Sequence, residues 1–334
     1  MTLWALAAVL LVGCEEPPET ARGRIARTPA RTMYRQAKNA LLENGIENLV
    51  WGATPFVSQG GVADQFRPTI SLVSERLDIP MTVRAGQDYE DVESMLLSGE
   101  IDIAIMSPYA YVQAKAKEPD IRVFGSPISG GTETYGAYIL THEDSDIRSL
   151  ADLRGLPFAF VSDRSTSGWL YPASRMLDEG LDPTKDIEGK FYGDHSRVIA
   201  AIASGEVAAG ATYDGALAKG RGHIPGAQGL RVIARTRRIP RDAYVVRAGI
   251  PAEALLGLST ALSSVSNRDA QGREALAPLV DINGFVRIED AVYRPVREIE
   301  GKVQALLGAG GGTLPVVILE QEEDEHESDH PAAQ

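Results

Sequence analysis

The chain has 334 residues, 46 acidic and 33 basic, for a net charge of −13 at pH 7. That balance gives no electrostatic footprint for nucleic acid, which clustered basic side chains would hold. A single cysteine, Cys14, rules out an intrachain disulfide and a cysteine nucleophile or cysteine-based zinc site in the body of the protein.

Residues 3–12, LWALAAVLLV, are too few to span a bilayer as a helix but suit the core of an export signal. Leu11-Val12-Gly13-Cys14 resembles the lipobox of bacterial lipoproteins, so residues 1–14 are expected to be a signal peptide ending at a lipidated Cys14. No lysine or arginine precedes the apolar run, which departs from the usual signal. Residues 15–45 open on Glu, Pro, Thr and Arg without periodic apolar positions and read as a tether.

The folded part follows. Strands are predicted at 48–53, 81–85, 101–106, 122–125, 137–141, 157–161, 190–192, 208–212, 230–234 and 244–247. Helices are predicted between them, for example over 64–77, 88–98, 109–117, 150–153, 169–179 and 196–204. Short apolar strands alternating with amphipathic helices imply an α/β fold of doubly wound, mostly parallel sheets, and the length allows two lobes. Lobe 1 is expected to take residues 46–138 plus 236–307 and lobe 2 residues 139–235, with a two-strand hinge near 137–141 and 232–244. Residues 308–334 read as a Gly-rich and acidic tail, whose seven carboxylates from Glu320 to Asp329 supply more than half of the net charge.

Ligands of open α/β sheets settle outside the carboxyl ends of the strands. Four strand-to-helix loops therefore matter: 54–61, with Thr54 and Ser58; 107–109; 162–168; and 193–196. The third is the richest. Ser162, Ser165, Thr166, Ser167 and Gly168 collect where a helix starts, so hydroxyls join unpaired amides at the positive end of the macrodipole. That is an anion seat without a lysine, or else a plain helix cap. In Ser107-Pro108-Tyr109, Ser107 reads as the cap and Pro108 as the first helical residue, which would leave the Tyr109 phenol at the helix mouth or simply half-buried. His195 either donates to an oxyanion or, with Ser196, caps the next helix. Asp214 either accepts a hydrogen bond from a protonated ligand oxygen or amine, or caps its own helix.

Five blocks in this order carry a family resemblance: WGATPFVS, YEDVESMLLSGEIDIAIMSPYAYV, LADLRGLPFAFVSDRSTSGWLYP, YGDHSRVIAAIASGEVAAGATYDGAL and RRIPRDAYVVRAGIP. Together they are similar to the phosphate/phosphite/phosphonate-binding proteins of bacterial ABC importers, with a type II periplasmic binding fold. The resemblance implies that Tyr109, Ser165, Thr166, Ser167 and His195 hold phosphorus oxygens. It further implies that Asp214 helps to select the ligand and that Thr54 and Ser58 line the cleft. Phe56 stands where many relatives carry tyrosine, and Gly60-Gly61 replaces a polar or acidic pair, so contacts from that loop are the least transferable.

The resulting expectation is a lipid-anchored receptor on the periplasmic side of a bacterial membrane. It is expected to be a monomer that captures a phosphorus oxyanion between its lobes and passes it to an ABC permease and ATPase complex. No cofactor, no metal and no nucleic-acid partner are expected. The alternative is a sensor of the same fold coupled to a membrane signalling partner. A Ser–His–Asp hydrolase is disfavoured because no G-x-S-x-G nucleophile elbow is present.

Overall fold

The computed structural model describes residues 30–54 and 61–310. Cys14, Phe56, Ser58, Gly60 and the acidic tail, with the expectations attached to them, lie outside these residues.

In chain order, α1 (Ala30–Glu43) precedes β1 (Leu49–Ala53), α2 (Val62–Leu77), β2 (Met81–Ala85), α3 (Tyr89–Ser98), β3 (Ile103–Met106), α4 (Pro108–Lys117) and β4 (Arg122–Ser129). The chain then crosses through β5 (Thr134–Tyr135) into β6 (Ala137–His142), β7 (Pro157–Phe160), α5 (Tyr171–Asp178), β8 (Glu188–Phe191), α6 (His195–Ala203), β9 (Ala209–Tyr213), α7 (Asp214–Gly220) and β10 (Leu230–Arg235). It returns through β11 (Ile239–Pro240) to β12 (Ala243–Val246), α8 (Ala252–Ser263), α9 (Ala270–Leu276), β13 (Ile282–Val286) and α10 (Arg294–Gly310).

Two sheets result. One has the order β13-β4-β12-β3-β1-β2, the other β10-β6-β9-β7-β8. The fold is the two-lobed α/β one expected, but the sheets are mixed rather than mostly parallel. Only β1 with β2 and β3, and β7 with β8 and β9, pair parallel. β12 runs antiparallel to β3 and β4, and β6 antiparallel to β9 and β10. The cause is the crossing itself. A strand entered from the other lobe starts at the interlobe end, where the parallel strands finish, and so runs the other way. The crossing pair is β5 with β11, antiparallel. The first crossing therefore precedes Ala137, slightly earlier than the expected 137–141, because β6 is already part of its sheet.

The tether expectation needs correction from Ala30 onward. α1 packs along α8 and fully buries Ala37 and Leu41. Gly257 permits the approach, since a Cβ there would stand 2.3 Å from the Cβ of Ala37. Ala37 and Leu41, one turn apart, with Tyr34 packed beside them, form a narrow stripe that suffices for docking at so close a distance.

α10 is not a pure lobe 1 element either. It packs on α4 of one lobe and α5 of the other, where Lys302 pairs with Asp178. The buried apolar cluster at this junction includes Tyr111, Trp169, Leu170, Tyr293 and Val303, so one core runs through both lobes.

Candidate functional site

The loop after β7 folds around its own hydroxyls. Ser165 Oγ accepts from the Gly168 N–H at 3.0 Å, and residues 166–170 form a π turn that leads into α5. Gly168 is required there, because a Cβ would lie 2.3 Å from Val161 Cγ2. Wide turns of this kind often mark functional positions. Ser165, Thr166 and Ser167 are all buried, and all three line one interlobe cavity of about 800 Å³.

α4 meets this loop from the opposite lobe. Ser107 caps α4, accepting from the Ala110 N–H at 3.1 Å, and donates to the Arg164 carbonyl at 2.9 Å. The Tyr109 N–H donates to Thr166 Oγ1 at 2.8 Å, so that hydroxyl keeps its own proton for another acceptor. Behind the contact, Arg164 pairs with the buried Glu93 of α3, whose other oxygen lies 2.6 Å from Lys117.

Asp194, not His195 or Ser196, caps α6, accepting from the N–H groups of Ser196 and Arg197 at 2.7 and 3.0 Å. His195 is thereby released to the cavity wall, 3% exposed, its ring edge-on to Tyr213 with centroids 4.8 Å apart. Its Nδ1 lies 2.8 Å from Thr212 Oγ1. Burial pushes the imidazole pKa down to about 3, so the ring is neutral. The contact is compatible with either neutral tautomer; when the Thr212 hydroxyl donates to Nδ1, the ring proton sits on Nε2 and is free for a ligand.

The cavity also holds residues that reading the carboxyl ends of strands misses. Asp242 lies at the start of β12 and lines the wall. Among the described residues none hydrogen bonds to its side chain, and desolvation pushes its pKa up to about 7 against the opposing pull of Arg241. Near neutral pH this carboxyl both accepts and donates. Tyr89, opening α3, interacts with Ser165, and Tyr135, on β5, interacts with Ser167. Burial raises both phenols, so they remain protonated donors. Arg241, whose guanidinium donates to the Thr132 carbonyl at 3.0 Å and lies 6.0 Å from the Tyr135 ring centre, also lines the cavity.

Three expected side chains do not reach the cavity. The Tyr109 phenol turns to Gln304 and Glu300 of α10, because the N–H of the second helical residue, not its side chain, faces the opposite loop. Thr54 is buried and donates to the Ile105 carbonyl at 3.2 Å, tying β1 to β3. Asp214 accepts from the Gly136 and Gly215 N–H groups, both at 2.9 Å, and so fixes the crossing next to β6. Both its oxygens are committed to backbone.

Around Ser165–Ser167 the cavity gathers neutral donors and the amphoteric carboxyl of Asp242, with Arg241 also in the lining. It can hold a tetrahedral oxyanion, and His195 contacts Thr212 through Nδ1.

Comparison with known proteins agrees in kind. The profile of the family described as ABC transporter, phosphonate, periplasmic substrate-binding protein matches residues 51–293. The phosphate-import protein PhnD of Mycolicibacterium smegmatis is 25% identical over 273 residues, covering 76% of this chain and 85% of that protein. The structure of PhnD1 from Prochlorococcus marinus in complex with methylphosphonate superposes with a TM-score of 0.70 at 20% identity, covering 77% of this chain and 98% of that one. A binding-protein component of an ABC phosphonate transporter from Pseudomonas aeruginosa gives 0.69 at 21% identity, covering 77% and 86%. Both structures share the two-lobed periplasmic binding fold. The chain belongs to the periplasmic phosphonate substrate-binding proteins of ABC transporters, and is a transport receptor rather than an enzyme.

Proposed function

We propose that this receptor captures a phosphorus oxyanion in the interlobe cavity, as a monomer lipidated at Cys14, and delivers it to an ABC permease and ATPase complex. The observation that carries the reading is the convergence of Ser165, Thr166, Ser167, His195, Tyr89, Tyr135 and Asp242, from both lobes, on one cavity. Hydroxyls, phenols and a neutral imidazole donate to the phosphoryl oxygens. Asp242 takes the discriminating role that the sequence assigns to Asp214. In its ionised form the Asp242 carboxylate accepts from a P–OH group, whereas a fully ionised sulfate offers it no proton and is repelled.

Lobe closure around the ligand shifts a pre-existing equilibrium toward the form that a permease engages. Calorimetric titration of the purified protein with phosphate, phosphite, methylphosphonate, 2-aminoethylphosphonate and sulfate tests the reading. Binding of at least one phosphorus oxyanion and none of sulfate is expected. Heat from sulfate alone, or from none of the five, refutes it. Release of the protein from membranes on Cys14→Ser tests the anchor.

A further inference from the structure

Six of the 33 basic residues crowd one short stretch near the start of the chain: Arg22, Arg24, Arg27, Arg31, Arg35 and Lys38. No aspartate or glutamate stands between Glu19 and Glu43, in a protein whose net charge is −13. The last three cations belong to α1. They are spaced by four and three residues, with Leu42 four further on, so all four share one stripe of the helix. Arg31, Arg35 and Leu42 are exposed, Leu42 to 44%, while Ala37 and Leu41 bury another face against α8. Lys38 pairs with Asp78, whereas Arg31 and Arg35 have no hydrogen-bond or ion-pair partner among the described residues. Helix stability does not account for this arrangement. Arg31 stands in the first turn, at the positive end of the macrodipole, and Glu43 is the last residue, at the negative end, so each charge sits at the end that disfavours it.

We infer that the stripe is a membrane-surface element, which lays α1 on the headgroups of anionic lipid. The arginines meet phosphate groups and Leu42 enters the boundary below them, a contact that a nucleic-acid backbone has no use for. Reach agrees. Cys14, the anchor proposed above, precedes Ala30 by sixteen positions, at most roughly 55 Å of extended chain. The acidic body does not cancel the attraction, since at physiological salt only charges within ~8 Å of the surface count strongly. α1 docks on α8 and α2, which belong to one lobe, so the bilayer would hold lobe 1 and leave lobe 2 free to close.

Vesicle co-sedimentation of the full chain carrying Cys14→Ser, which removes the site of the proposed lipid, provides the test. Vesicles of phosphatidylcholine and phosphatidylglycerol at about three to one should bind it at least about tenfold more tightly than phosphatidylcholine alone in about 0.1 M salt, and about 0.5 M salt should abolish the difference. Arg31→Gln with Arg35→Gln should weaken binding about tenfold or more, each cation near an anionic surface being worth about fivefold. Arg31→Lys with Arg35→Lys should stay within about twofold, which also reports an intact helix. Lys190→Gln with Arg287→Gln removes two exposed cations elsewhere that have no ion pair among the described residues, and should change nothing. Equal binding to both kinds of vesicle, binding to neither, or equal losses in the two glutamine variants overturns the inference, and none of these outcomes bears on the Cys14 anchor or the oxyanion seat.

Discussion

The backbone N–H of Tyr109, in one lobe, donates to the hydroxyl of Thr166 in the other across 2.8 Å. Both groups are buried, so the bond has no water to replace it. Thr166→Val keeps the shape and deletes the acceptor, and should cost about 1–3 kcal/mol by leaving the amide unpaired. Thr166→Ser should recover most of it. Urea unfolding measures both, and equal stability of all three proteins would contradict the role given to this bond.

Glu93 and Arg164 form a second interlobe link, with the carboxylate almost wholly buried. Glu93→Gln should destabilise by up to about 3–5 kcal/mol, since the largely buried guanidinium then keeps only the longer contact to the exposed Glu90 as charge compensation. Glu93→Leu with Arg164→Met should be considerably less damaging than the single change. A double-mutant cycle by chemical denaturation checks this, and additivity of the two changes would rule out direct coupling.

Tyr89 and Tyr109 should separate cleanly in binding. Tyr89→Phe removes a donor from the cavity wall and should weaken a phosphorus oxyanion by about 0.5–1.5 kcal/mol, up to roughly tenfold. Tyr109→Phe removes a phenol that faces α10 and should leave affinity unchanged. Calorimetry with methylphosphonate distinguishes them.

His195 ties stability to acid. Its folded pKa of about 3 lies below the value of 6.5 for an exposed imidazole. Between these values the unfolded chain binds the extra proton, so stability is full above pH 6.5 and falls as pH drops toward 3. Asp242 acts in the opposite sense. Its folded pKa of about 7 lies above the ordinary 3.8, so the native state holds the extra proton and stability declines as pH rises from about 4 to about 7. His195→Gln should therefore flatten the acid limb of the stability profile and Asp242→Asn the neutral limb. Thermal melts across pH 4–8 read both, and an unchanged slope in either variant would contradict the assigned cause.

Much of the seat is legible in the sequence. Ser165 to Ser167 and His195 each follow a parallel strand and open a helix, and that position puts them at the cleft whatever the details of packing. Asp242 and Tyr135 escape the same logic because they lie just before β12 and β6, and only the crossing between lobes turns those strand beginnings toward the ligand side. The choice between Tyr89 and Tyr109 depends on helix phase. Asp88 caps α3 immediately before Tyr89, whereas Pro108 stands between the cap of α4 and Tyr109 and rotates that phenol away. Asp214 misleads for another reason. Its carboxylate accepts from the amide of the next residue, Gly215, and from that of Gly136, 78 positions upstream at the crossing, and the second duty is invisible in the local sequence.

The helix laid across the back of both lobes sets a condition on gaping. Because α10 touches α4 on one side and α5 on the other, any parting of the jaws must slide this rod over one partner or peel it from the other. The resistance to opening is thus lodged at the spine of the molecule, far from the mouth where cargo enters. Changes that alter how the rod packs, such as loss of the Lys302–Asp178 pair, can retune grip without altering a single group that meets the ligand.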